Sequence, residues 1–587
     1  MSSILEKVNQ PQDLKNLSLA DLAALSQEIR EVLIHKVNAT GGHLAPNLGF
    51  VEATVAMHYV FNSPQDKIVY DVSHQSYTHK ILTGRKENFL NPAKYQAISG
   101  YTNPQESAHD YFFVGHTSTA PSLAVGLAKA RDLQGQKHNV IAVIGDGSLS
   151  GGEAFEGLDN AAELNSNIII VVNDNDMCIA PNHGGLYRNL AQLRQSKGMA
   201  ECNFFKALGL DYVYVDDGHD MQALVQAFKQ VKDTPRPTVV HIHTVKGKGC
   251  PAAQNDPEAF HFIAPGQLTN PAPAPEAPSY ASLTVDYLLE KRRQDPRVIT
   301  ITPATPGAYG LTPQLRAQFG AGFTDVGIAE EHAVAYASAL AKGGAKPVLQ
   351  VLSSFVQRTY DQLSQDWALN NNPAVLLVHW GGISGGDATH LGCFDIPLIS
   401  NIPNIVYLAP TGKEEYFAML DWALKQNKYP VAIRVPSGPV ADYGAQAQAD
   451  YAALNKFQVV SQGSEVAVLG LGNFLHLGQQ VCRQLQETAG IKPTLINPRY
   501  MSGLDEELLE SLKQNHRLVL TLEDGCLSGG FGEKVASFYG GSSMRVLNFG
   551  AQKEFTDRVP LEQLYTRFHL TKELICQDAM ACLKTLK

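Results

Sequence analysis

Two polar clusters directly follow hydrophobic runs in the first third of the sequence. Asp146 lies in a Gly-Asp-Gly turn after NVIAVI, and Asn173 and Asn175 lie in NDNDM at the end of NIIIVVN. Parallel strands of one sheet end at the same edge, so strands over these runs would bring the clusters together. A carboxylate and an amide oxygen suit Mg²⁺, which completes its octahedron with water and phosphate oxygens. The pattern predicts a diphosphate site in which Gly147 permits close backbone approach and Ser148 donates to phosphate.

The alternative interpretation of this segment is an ordinary glycine turn beside a polar loop. A Gly-Asp-Gly triplet by itself favours that alternative, because such triplets are common in turns. The strand, helix, strand pattern around the triplet and the second polar cluster favour the ion site instead.

A further polar segment, GHTSTAPS, contains Gly115, His116 and Thr117 and precedes a helical pattern. The hydrophobic stretch YFFV before it is an expected strand. Hydroxyl groups and backbone N–H groups at the start of a helix attract anions, so this segment is a candidate phosphate contact. The alternative is that the hydroxyl groups between Thr117 and Thr119 merely cap the helix.

The composition limits the classes of function. The chain has 587 residues, with 47 Lys and Arg against 57 Asp and Glu, and a net charge of −10. Its 44% hydrophobic content is too high for a disordered chain, and its acidity argues against nucleic acid as a partner. Hydrophobic runs stay far short of the ~18–20 residues that cross a bilayer, so no membrane partner is expected. The N-terminus lacks the pattern of a secretion signal, and the cytoplasm is the expected location.

We predict three open α/β domains with mostly parallel sheets. The Pro/Ala-rich segment 269–280 is the expected linker between a first domain over 1–268 and a second over 281–445. A softer break after PVAIRVP places a third, C-terminal α/β domain at 446–587. In each domain short β-branched runs alternate with helical patterns, as in NVIAVIG, EAFEGLDNAAEL and NIIIVVN. Loops at the carboxyl ends of such strands are where ligands bind.

Ten ordered segments between about residue 30 and the C-terminus resemble the 1-deoxy-D-xylulose-5-phosphate synthase family of the transketolase superfamily, whose enzymes use thiamin diphosphate. They are GGHLAPNLGFVEATVAMHYVF, YDVSHQSYTHKILTGR, FVGHTSTAPSLAVGLAKA, the GDG to NDN segment, DDGHD, KGKG, IAEEHAV, SFVQRTYDQ, GDATHLGCFD and NPR. Their order across three domains makes chance similarity negligible. The resemblance implies a transketolase-like thiamin-diphosphate-binding fold, a transketolase-type C-terminal domain and a homodimer.

The resemblance also implies that the first domain binds the diphosphate with Mg²⁺ and the second binds the aminopyrimidine. Asp146, Asn175 and the main-chain carbonyl of Met177 would hold the metal. Glu330 in VGIAEEHAV would hydrogen-bond N1′ of the aminopyrimidine, and Phe355 would stack on its ring. The positions that would contact the cofactor are His74, Gly115, His116, Thr117, Gly147, Ser148, Asn175, Glu330, Phe355 and Arg358.

Further residues match family positions around the substrate. Besides Glu330, the candidate catalytic residues are His43, His74, His261, Asp387 and His390. An imidazole can bind a carboxylate or shuttle protons near neutral pH. A single histidine is more often structural, but all four fall on family motifs. Arg434 in AIRVPSG resembles an arginine that binds the substrate phosphate, and a plain surface arginine is the alternative.

Departures from the family pattern concentrate where the acceptor substrate would bind. HWGG, with Trp380, stands where Asp-Arg-Ala-Gly is expected, and tryptophan cannot replace a bidentate cation. Leu352 takes the place of a tyrosine that also faces the acceptor phosphate, and the GDATH loop is one residue short. Cys250 replaces a tyrosine after KGKG. The segment over 190–204 is about thirty residues shorter than usual, so we expect the site in the first domain to be more open or differently gated.

The leading hypothesis, implied by the resemblance, is a transferase that decarboxylates pyruvate and joins the remainder to D-glyceraldehyde 3-phosphate, giving 1-deoxy-D-xylulose 5-phosphate. A second hypothesis keeps thiamin diphosphate but changes the substrates: a synthase-like carboligase or a transketolase-like ketol transferase with another aldehyde acceptor or another donor. Trp380 and Leu352 favour the second. A third is a non-catalytic cofactor-binding scaffold, and the intact Asp146, Asn175 and Glu330 argue against it.

Overall fold

The chain divides into two compact units, which are described separately. The computed structural model describes residues 3–270, 277–443 and 447–586. Residues 271–276, half of the predicted linker, lie outside the described residues. The units comprise residues 1–275 with 327–329, and residues 276–326 with 330–587. Within the described ranges, each helix is too short or too polar to cross a membrane.

The first unit is built around one sheet in which all neighbouring strands run parallel. The runs are rich in Val and Ile because both faces of a parallel sheet are normally covered. In the described part of the unit, the five strands are, in spatial order, Lys67–Tyr70, Val140–Gly145, Ile169–Asp174, Thr238–His243 and Asp211–Val215. The longer helices are Leu19–Thr40, Val51–Val60, Ala120–Leu133, Gly152–Ala162, Gly185–Gln195 and Met221–Val231.

The register of the central strands positions the polar loops. Gly145 pairs with Asn173 across two neighbouring parallel strands. The backbone N–H of Asp146 also donates to the carbonyl of Asn173, with an N–O distance of 3.0 Å. The two strands therefore end side by side, as the pattern of hydrophobic runs predicts.

A two-stranded antiparallel ribbon joins distant parts of the first unit. Its strands are Gly42–His43 and Phe262–Ile263. Beside the ribbon, the N–H of Leu44 donates to the carbonyl of His261 at 3.2 Å. The ribbon therefore aligns two of the predicted histidines, His43 and His261, that are far apart in sequence.

The predicted strand over YFFV, residues 111–114, does not form. Side-chain hydroxyl groups, rather than a neighbouring strand, satisfy part of this backbone. Thr102 donates to the carbonyl of Phe112 at 2.8 Å, and Ser73 donates to the carbonyl of Val114 at 2.5 Å. Hydroxyl groups that bond the backbone in this way compete with strand pairing.

The second unit contains two sheets, which occupy the ranges of the second and third predicted domains. The first of them is entirely parallel. In the part that the structure describes, its six strands are, in spatial order, Val406–Leu408, Val431–Arg434, Val375–His379, Lys346–Leu352, Val298–Thr302 and Phe323–Asp325. The longer helices around it are Tyr280–Gln294, Pro313–Phe319, Glu330–Lys342 and Lys413–Lys425. The helix Tyr280–Gln294 begins at the last residue of the predicted linker, because Ser279 caps it.

The C-terminal sheet is parallel except for one edge strand, Gln458–Ser461, which pairs antiparallel with its neighbour. Over the described residues, its five strands are, in spatial order, Gln458–Ser461, Thr494–Asn497, Glu465–Gly470, His516–Cys526 and Arg545–Ala551. The helices are Leu475–Ala489, Glu506–Leu512, Phe531–Tyr539, Leu561–Arg567 and Lys572–Thr585. The prediction of an α/β protein with mostly parallel sheets is confirmed.

Candidate active site

In the first unit, a buried carboxylate and a buried amide oxygen lie in loops that follow neighbouring strands. Asp146 is 1% exposed, and its carboxylate accepts a hydrogen bond from the Asn182 amide at 2.7 Å. Burial, and then the negative charge of Asp174, raise the pKa of Asp146 above its ordinary range. The Oδ1 atom of Asn175 is buried and accepts no hydrogen bond from the described residues. A carboxylate short of positive charge and an orphaned amide oxygen fit a divalent cation.

The neighbouring polar side chains already have hydrogen-bond partners within the protein, which distinguishes them from the candidate metal ligands. The Asn173 amide donates to Gln75 at 3.0 Å and accepts from the Thr244 hydroxyl at 2.6 Å. Burial would raise the pKa of Asp174, but hydrogen bonds from His241 and Arg194 outweigh it and lower that pKa. Asn173 and Asp174 are therefore structural.

The loop after Asn175 folds back toward Asp146. Met177 forms an isolated bridge with Pro181, and Asn182, the next residue, donates to the Asp146 carboxylate. The ammonium group of Lys246 donates to the carbonyl of the residue after Met177. This loop therefore brings Asn182 to the Asp146 carboxylate, and the Met177 carbonyl stays a predicted metal ligand.

The Gly-Asp-Gly turn is held in place by close packing and by a tyrosine. A Cβ atom on Gly147 would lie 2.9 Å from the side chain of Cys178. The Tyr187 hydroxyl donates to the carbonyls of Asp146 and Gly147 at 3.3 and 3.1 Å. Ser148 is buried, and its carbonyl accepts from another serine of the unit, Ser118, at 2.9 Å. Tyr187 belongs to the helix Gly185–Gln195, so the helix that runs into the shortened segment braces the turn.

The start of the helix Ala120–Leu133 is occupied by a carboxylate of the protein itself. Backbone N–H groups of Ser118 and Ala120 donate to Asp71 at 2.9 and 3.0 Å. The predicted phosphate contacts in this segment, Gly115, His116 and Thr117, precede those N–H groups; Gly115 is buried and the other two are half-buried. The alternative that a threonine caps the helix is wrong, because Asp71 takes that role and Thr119 makes no capping bond.

Three of the predicted histidines form one cluster in the first unit. The ring centroids of His43, His74 and His261 lie 5.1 to 5.6 Å apart. Burial, and then the charge of the nearby Lys246, lower the pKa of His261, so this imidazole is neutral near pH 7. Burial also lowers the pKa of Lys246 to about 8.

One buried asparagine holds two of these histidine segments together. The Asn47 amide donates to the carbonyl of His43 at 2.8 Å and to the carbonyl of His74 at 2.7 Å. Its oxygen accepts from the N–H of Tyr77 at 3.0 Å. The segment before His74 also contains Ser73 in the left-handed region, with φ of 60°. The His74 loop is thus held in an uncommon conformation by surrounding bonds.

In the second unit, the predicted glutamate is buried at the start of a helix. Glu330 is 4% exposed and is the first residue of Glu330–Lys342. Its Oε2 atom is buried and has no hydrogen-bond partner among the described residues, while Arg358 lies 3.9 Å from it. Burial raises the pKa of Glu330 to about 7, although the charge of Arg358 opposes the rise. A carboxyl that keeps its proton near neutral pH can donate a hydrogen bond to a ring nitrogen.

The second unit also contains a buried network of neutral groups, two of which, Gln350 and His379, lie on neighbouring strands. The rings of Tyr309 and His379 are 4.8 Å apart, and Tyr309 accepts from the Thr305 hydroxyl at 2.8 Å. His379 and Gln350 are joined by a hydrogen bond of 3.1 Å. Burial lowers the pKa of His379 to about 3, so the histidine that stands in place of an expected aspartate carries no charge at neutral pH.

The other predicted residues of the second unit meet around a short loop. The ring of Phe355 contacts that of His390 edge to face, with centroids 5.7 Å apart. The Thr389 hydroxyl bonds both Asp387, at 2.9 Å, and His390, at 2.7 Å. Burial lowers the pKa of His390, and Asp387 opposes that shift. The structure therefore brings Phe355, Asp387 and His390 together.

Arg434 is placed differently from the prediction. It is 7% exposed, and its guanidinium bonds Asp395 at 2.7 and 3.1 Å and also contacts Asp524. A Cβ atom on Gly381 would lie 2.6 Å from this guanidinium. Asp395 and Asp524 already neutralise the charge of this guanidinium. Through its contact with Asp524, Arg434 also joins the six-stranded sheet to the C-terminal sheet. A plain surface position is therefore wrong for this residue, and its phosphate role stays a prediction that the two ion pairs do not favour.

The substituted positions have clear structural settings. Leu352 is buried in a hydrophobic core that includes Tyr309. Trp380 is 64% exposed and has a φ of 57°, in the left-handed region. Cys250 is buried at the start of the short helix Pro251–Asn255. None of these three side chains carries a charge that could pair with phosphate.

Several polar residues of the site escaped prediction from sequence. Two of them had a signal, because Asn47 lies in the GGHLAPNLGF segment and Lys246 in KGKG. Asp71 and Asn182 had none, since a carboxylate cap from another loop and a donor from a polar loop depend on tertiary contacts. The four residues that escaped prediction are Asn47, Asp71, Asn182 and Lys246.

Comparisons with known proteins agree over the whole chain. A family model described as 1-deoxy-D-xylulose-5-phosphate synthase matches residues 5–203 and 196–244. Models for the transketolase pyrimidine binding domain and the transketolase C-terminal domain match 277–441 and 455–575. The chain is 40% identical to the 1-deoxy-D-xylulose-5-phosphate synthase of Symbiobacterium thermophilum, over 99% of this chain and 95% of that one.

Two further similarities extend this comparison. The synthase of Natranaerobius thermophilus is 39% identical, over 91% of each chain. A transketolase structure from Pichia stipitis, in complex with xylulose 5-phosphate, is 17% identical and covers 96% of this chain and 97% of its own, with a TM-score of 0.44.

Asp146→Asn should weaken the response of the protein to Mg²⁺. Removing this carboxylate should cost at least about tenfold in Mg²⁺ affinity, a loss that even outer-shell partners of a metal produce. The measurement is the thermal midpoint against Mg²⁺ concentration with thiamin diphosphate present. Asp176→Asn is the control, because that carboxylate lies on the same loop but is largely exposed and pairs with Arg194. An unchanged Mg²⁺ dependence in Asp146→Asn would contradict the assignment.

Glu330→Gln should stabilise the cofactor-free protein at high pH. Because the pKa is about 7 in the folded protein against an ordinary 4.5, the folded state holds the proton more tightly between these values. Ionisation therefore costs stability as the pH rises through this window, and the full cost, roughly 3 kcal/mol, applies above it. The thermal midpoint of the variant should exceed that of the parent at about pH 8 and approach it at about pH 5. An equal difference at both pH values would rule out this cause.

Arg434→Met should destabilise the protein rather than weaken substrate binding alone. Removing one partner of a buried ion pair leaves Asp395 and Asp524 uncompensated, at a cost of about 3–5 kcal/mol. Urea denaturation measures this loss, and Arg434→Lys, which keeps the charge, should lose less. A fully stable Arg434→Met variant with a raised KM for a phosphorylated acceptor would restore the phosphate role.

Proposed function

Because the chain belongs to the 1-deoxy-D-xylulose-5-phosphate synthase family, we propose that it joins pyruvate and D-glyceraldehyde 3-phosphate into 1-deoxy-D-xylulose 5-phosphate, with release of CO₂. It is a thiamin-diphosphate enzyme of the transferase type, similar in its domains to transketolase. The second hypothesis, other substrates on the same cofactor, is not favoured, because full-length relatives share one named activity.

The observation that carries the proposal is the buried Glu330 carboxyl. Its orphaned Oε2 and its raised pKa suit a hydrogen bond to N1′ of the aminopyrimidine. Arg358, 3.9 Å away, limits how far that pKa rises. When bound, thiamin diphosphate supplies the nucleophilic carbon and the electron sink for loss of CO₂ from pyruvate. Phe355, near His390, would pack against the ring.

In the first unit, we assign the diphosphate and a Mg²⁺ ion to the loops after the central strands. Asp146, Asn175 and the carbonyl of Met177 would hold the ion. The half-buried His116 and Thr117, with Ser148, would contact the diphosphate. The orphaned oxygen of Asn175 supports this assignment, because a buried amide oxygen without a donor is rare unless a ligand uses it.

The histidine cluster would bind the pyruvate carboxylate and move protons. His43, His74 and His261 lie within ring-contact distance of one another, and His261 is neutral. A neutral imidazole offers one donor and one acceptor, so it can both hold a carboxylate and exchange a proton. In the second unit, Asp387 and His390 would hold the hydroxyl groups of the acceptor. The family resemblance also supports a homodimer in the cytoplasm.

Product analysis by mass spectrometry tests the proposal. Purified protein with thiamin diphosphate, Mg²⁺, pyruvate and D-glyceraldehyde 3-phosphate should form deoxyxylulose phosphate. Glu330→Ala should lower the rate by about 10²–10⁴-fold, the range for a lost proton-handling group. Glu331→Ala is the matched control and should keep most of the activity. Consumption of pyruvate without this product would refute the acceptor, and untouched pyruvate would refute the donor.

A further inference from the structure

The loop that carries Asp387 and His390 is docked on the C-terminal sheet's last connecting segment, residues 552–560. The backbone N–H of Arg558 donates to the carbonyl of Gly386 at 2.8 Å. In return, the N–H of Ala388 donates to the Asp557 carboxylate at 3.2 Å. Two hydrogen bonds of opposite direction therefore fix this segment beside the loop, and they place an arginine next to the acceptor residues.

In the described part of the second unit, neither of the two positions expected to contact the acceptor phosphate supplies an unpaired cation. Arg434 is neutralised by two carboxylates, and an uncharged tryptophan, Trp380, stands where an arginine was expected. A phosphorylated acceptor nevertheless carries about two negative charges at neutral pH, which a recognition site normally matches with a guanidinium.

The Arg558 side chain meets this requirement. It is 35% exposed, and its guanidinium bonds the neighbouring Asp557 at 3.1 Å. An exposed ion pair of this kind contributes little stability, so a phosphate dianion can compete for the same N–H groups. Asp557 is itself held by the N–H of Ala388, which keeps the guanidinium near the loop.

We propose that Arg558, supplied by the C-terminal domain, binds the phosphate group of the acceptor and so determines the preference for a phosphorylated aldehyde. The inference rests on the proposed function, because it names the phosphate contact of that same reaction. Arg558 thereby takes the role that the sequence suggested for Arg434.

The backbone geometry makes a clean test feasible. The docking bond to Gly386 comes from the backbone of Arg558, so replacing the side chain leaves it in place. Arg558 has a φ of 51°, and alanine meets the same left-handed constraint as arginine. Arg558→Ala therefore removes the guanidinium with little change in the loop.

The experiment compares two acceptors, D-glyceraldehyde 3-phosphate and unphosphorylated D-glyceraldehyde, in the holoenzyme. Arg558→Ala should raise KM for the phosphorylated aldehyde about ten- to a hundredfold, the effect of a lost charged hydrogen bond. KM for the unphosphorylated aldehyde and for pyruvate should stay within about twofold. Arg558→Lys keeps the charge but loses the paired donors of the guanidinium. Its KM for the phosphorylated aldehyde should lie between those of the parent and the alanine variant.

Arg567→Ala is the matched control. This arginine lies in the following helix and pairs with Glu554 at 2.6 Å, in a similarly exposed ion pair. It should leave both KM values unchanged. An equal rise of KM for both aldehydes, or no rise for either, in Arg558→Ala would overturn the inference. A parent enzyme that makes no deoxyxylulose phosphate would instead overturn the proposed function, so the two failures are distinct.

Discussion

A buried carboxyl group whose charge is only partly compensated is the constraint on which the candidate site depends. Removing a carboxylate from water costs several kcal/mol, and the protein normally offsets that cost with a nearby positive charge or hydrogen bonds. The hydrogen bond from Asn182 to Asp146 and the charge of Arg358 near Glu330 offset only part of that cost, and the pKa values of both carboxyls rise as a result. Either carboxyl would be stabilised by a ligand that supplied a cation or a ring nitrogen.

Other buried carboxylates in the chain show what full compensation looks like. Asp174 is bonded by Arg194 and His241, and Asp110 by Arg85 and His79. These pairs hold segments together and offer nothing to a ligand. Burial alone does not mark a site.

Glu523 shows that a raised pKa does not by itself mark a ligand site. Burial raises its pKa to about 7, yet it accepts backbone N–H groups at the start of the helix Phe531–Tyr539 and so acts as a cap. The distinguishing feature of Glu330 and Asn175 is therefore an orphaned oxygen, because an atom left without a partner in the folded chain is available to one from outside.

The sequence by itself determined the alternation of strands and helices, the α/β class with mostly parallel sheets and the family. It also singled out Asp146 and Asn175 as candidates, because strand ends and glycine turns have local signals that survive without knowledge of the fold. Glu330 and the histidines were predicted from their match to family motifs. The edge at which Asp146 and Asn175 meet followed from one rule, that parallel strands end together.

Only the tertiary structure decided which partner each charged side chain has. Arg434 matched a phosphate-binding motif, yet it pairs with two carboxylates from other segments, and Asp71 occupies the helix start that the alternative interpretation gave to the threonines. Electrostatic and hydrogen-bond partners come from segments distant in sequence, and the residue type alone does not show whether a side chain is paired. For that physical reason the sequence names the chemical groups of the site, while the fold decides which of them remain available to a ligand.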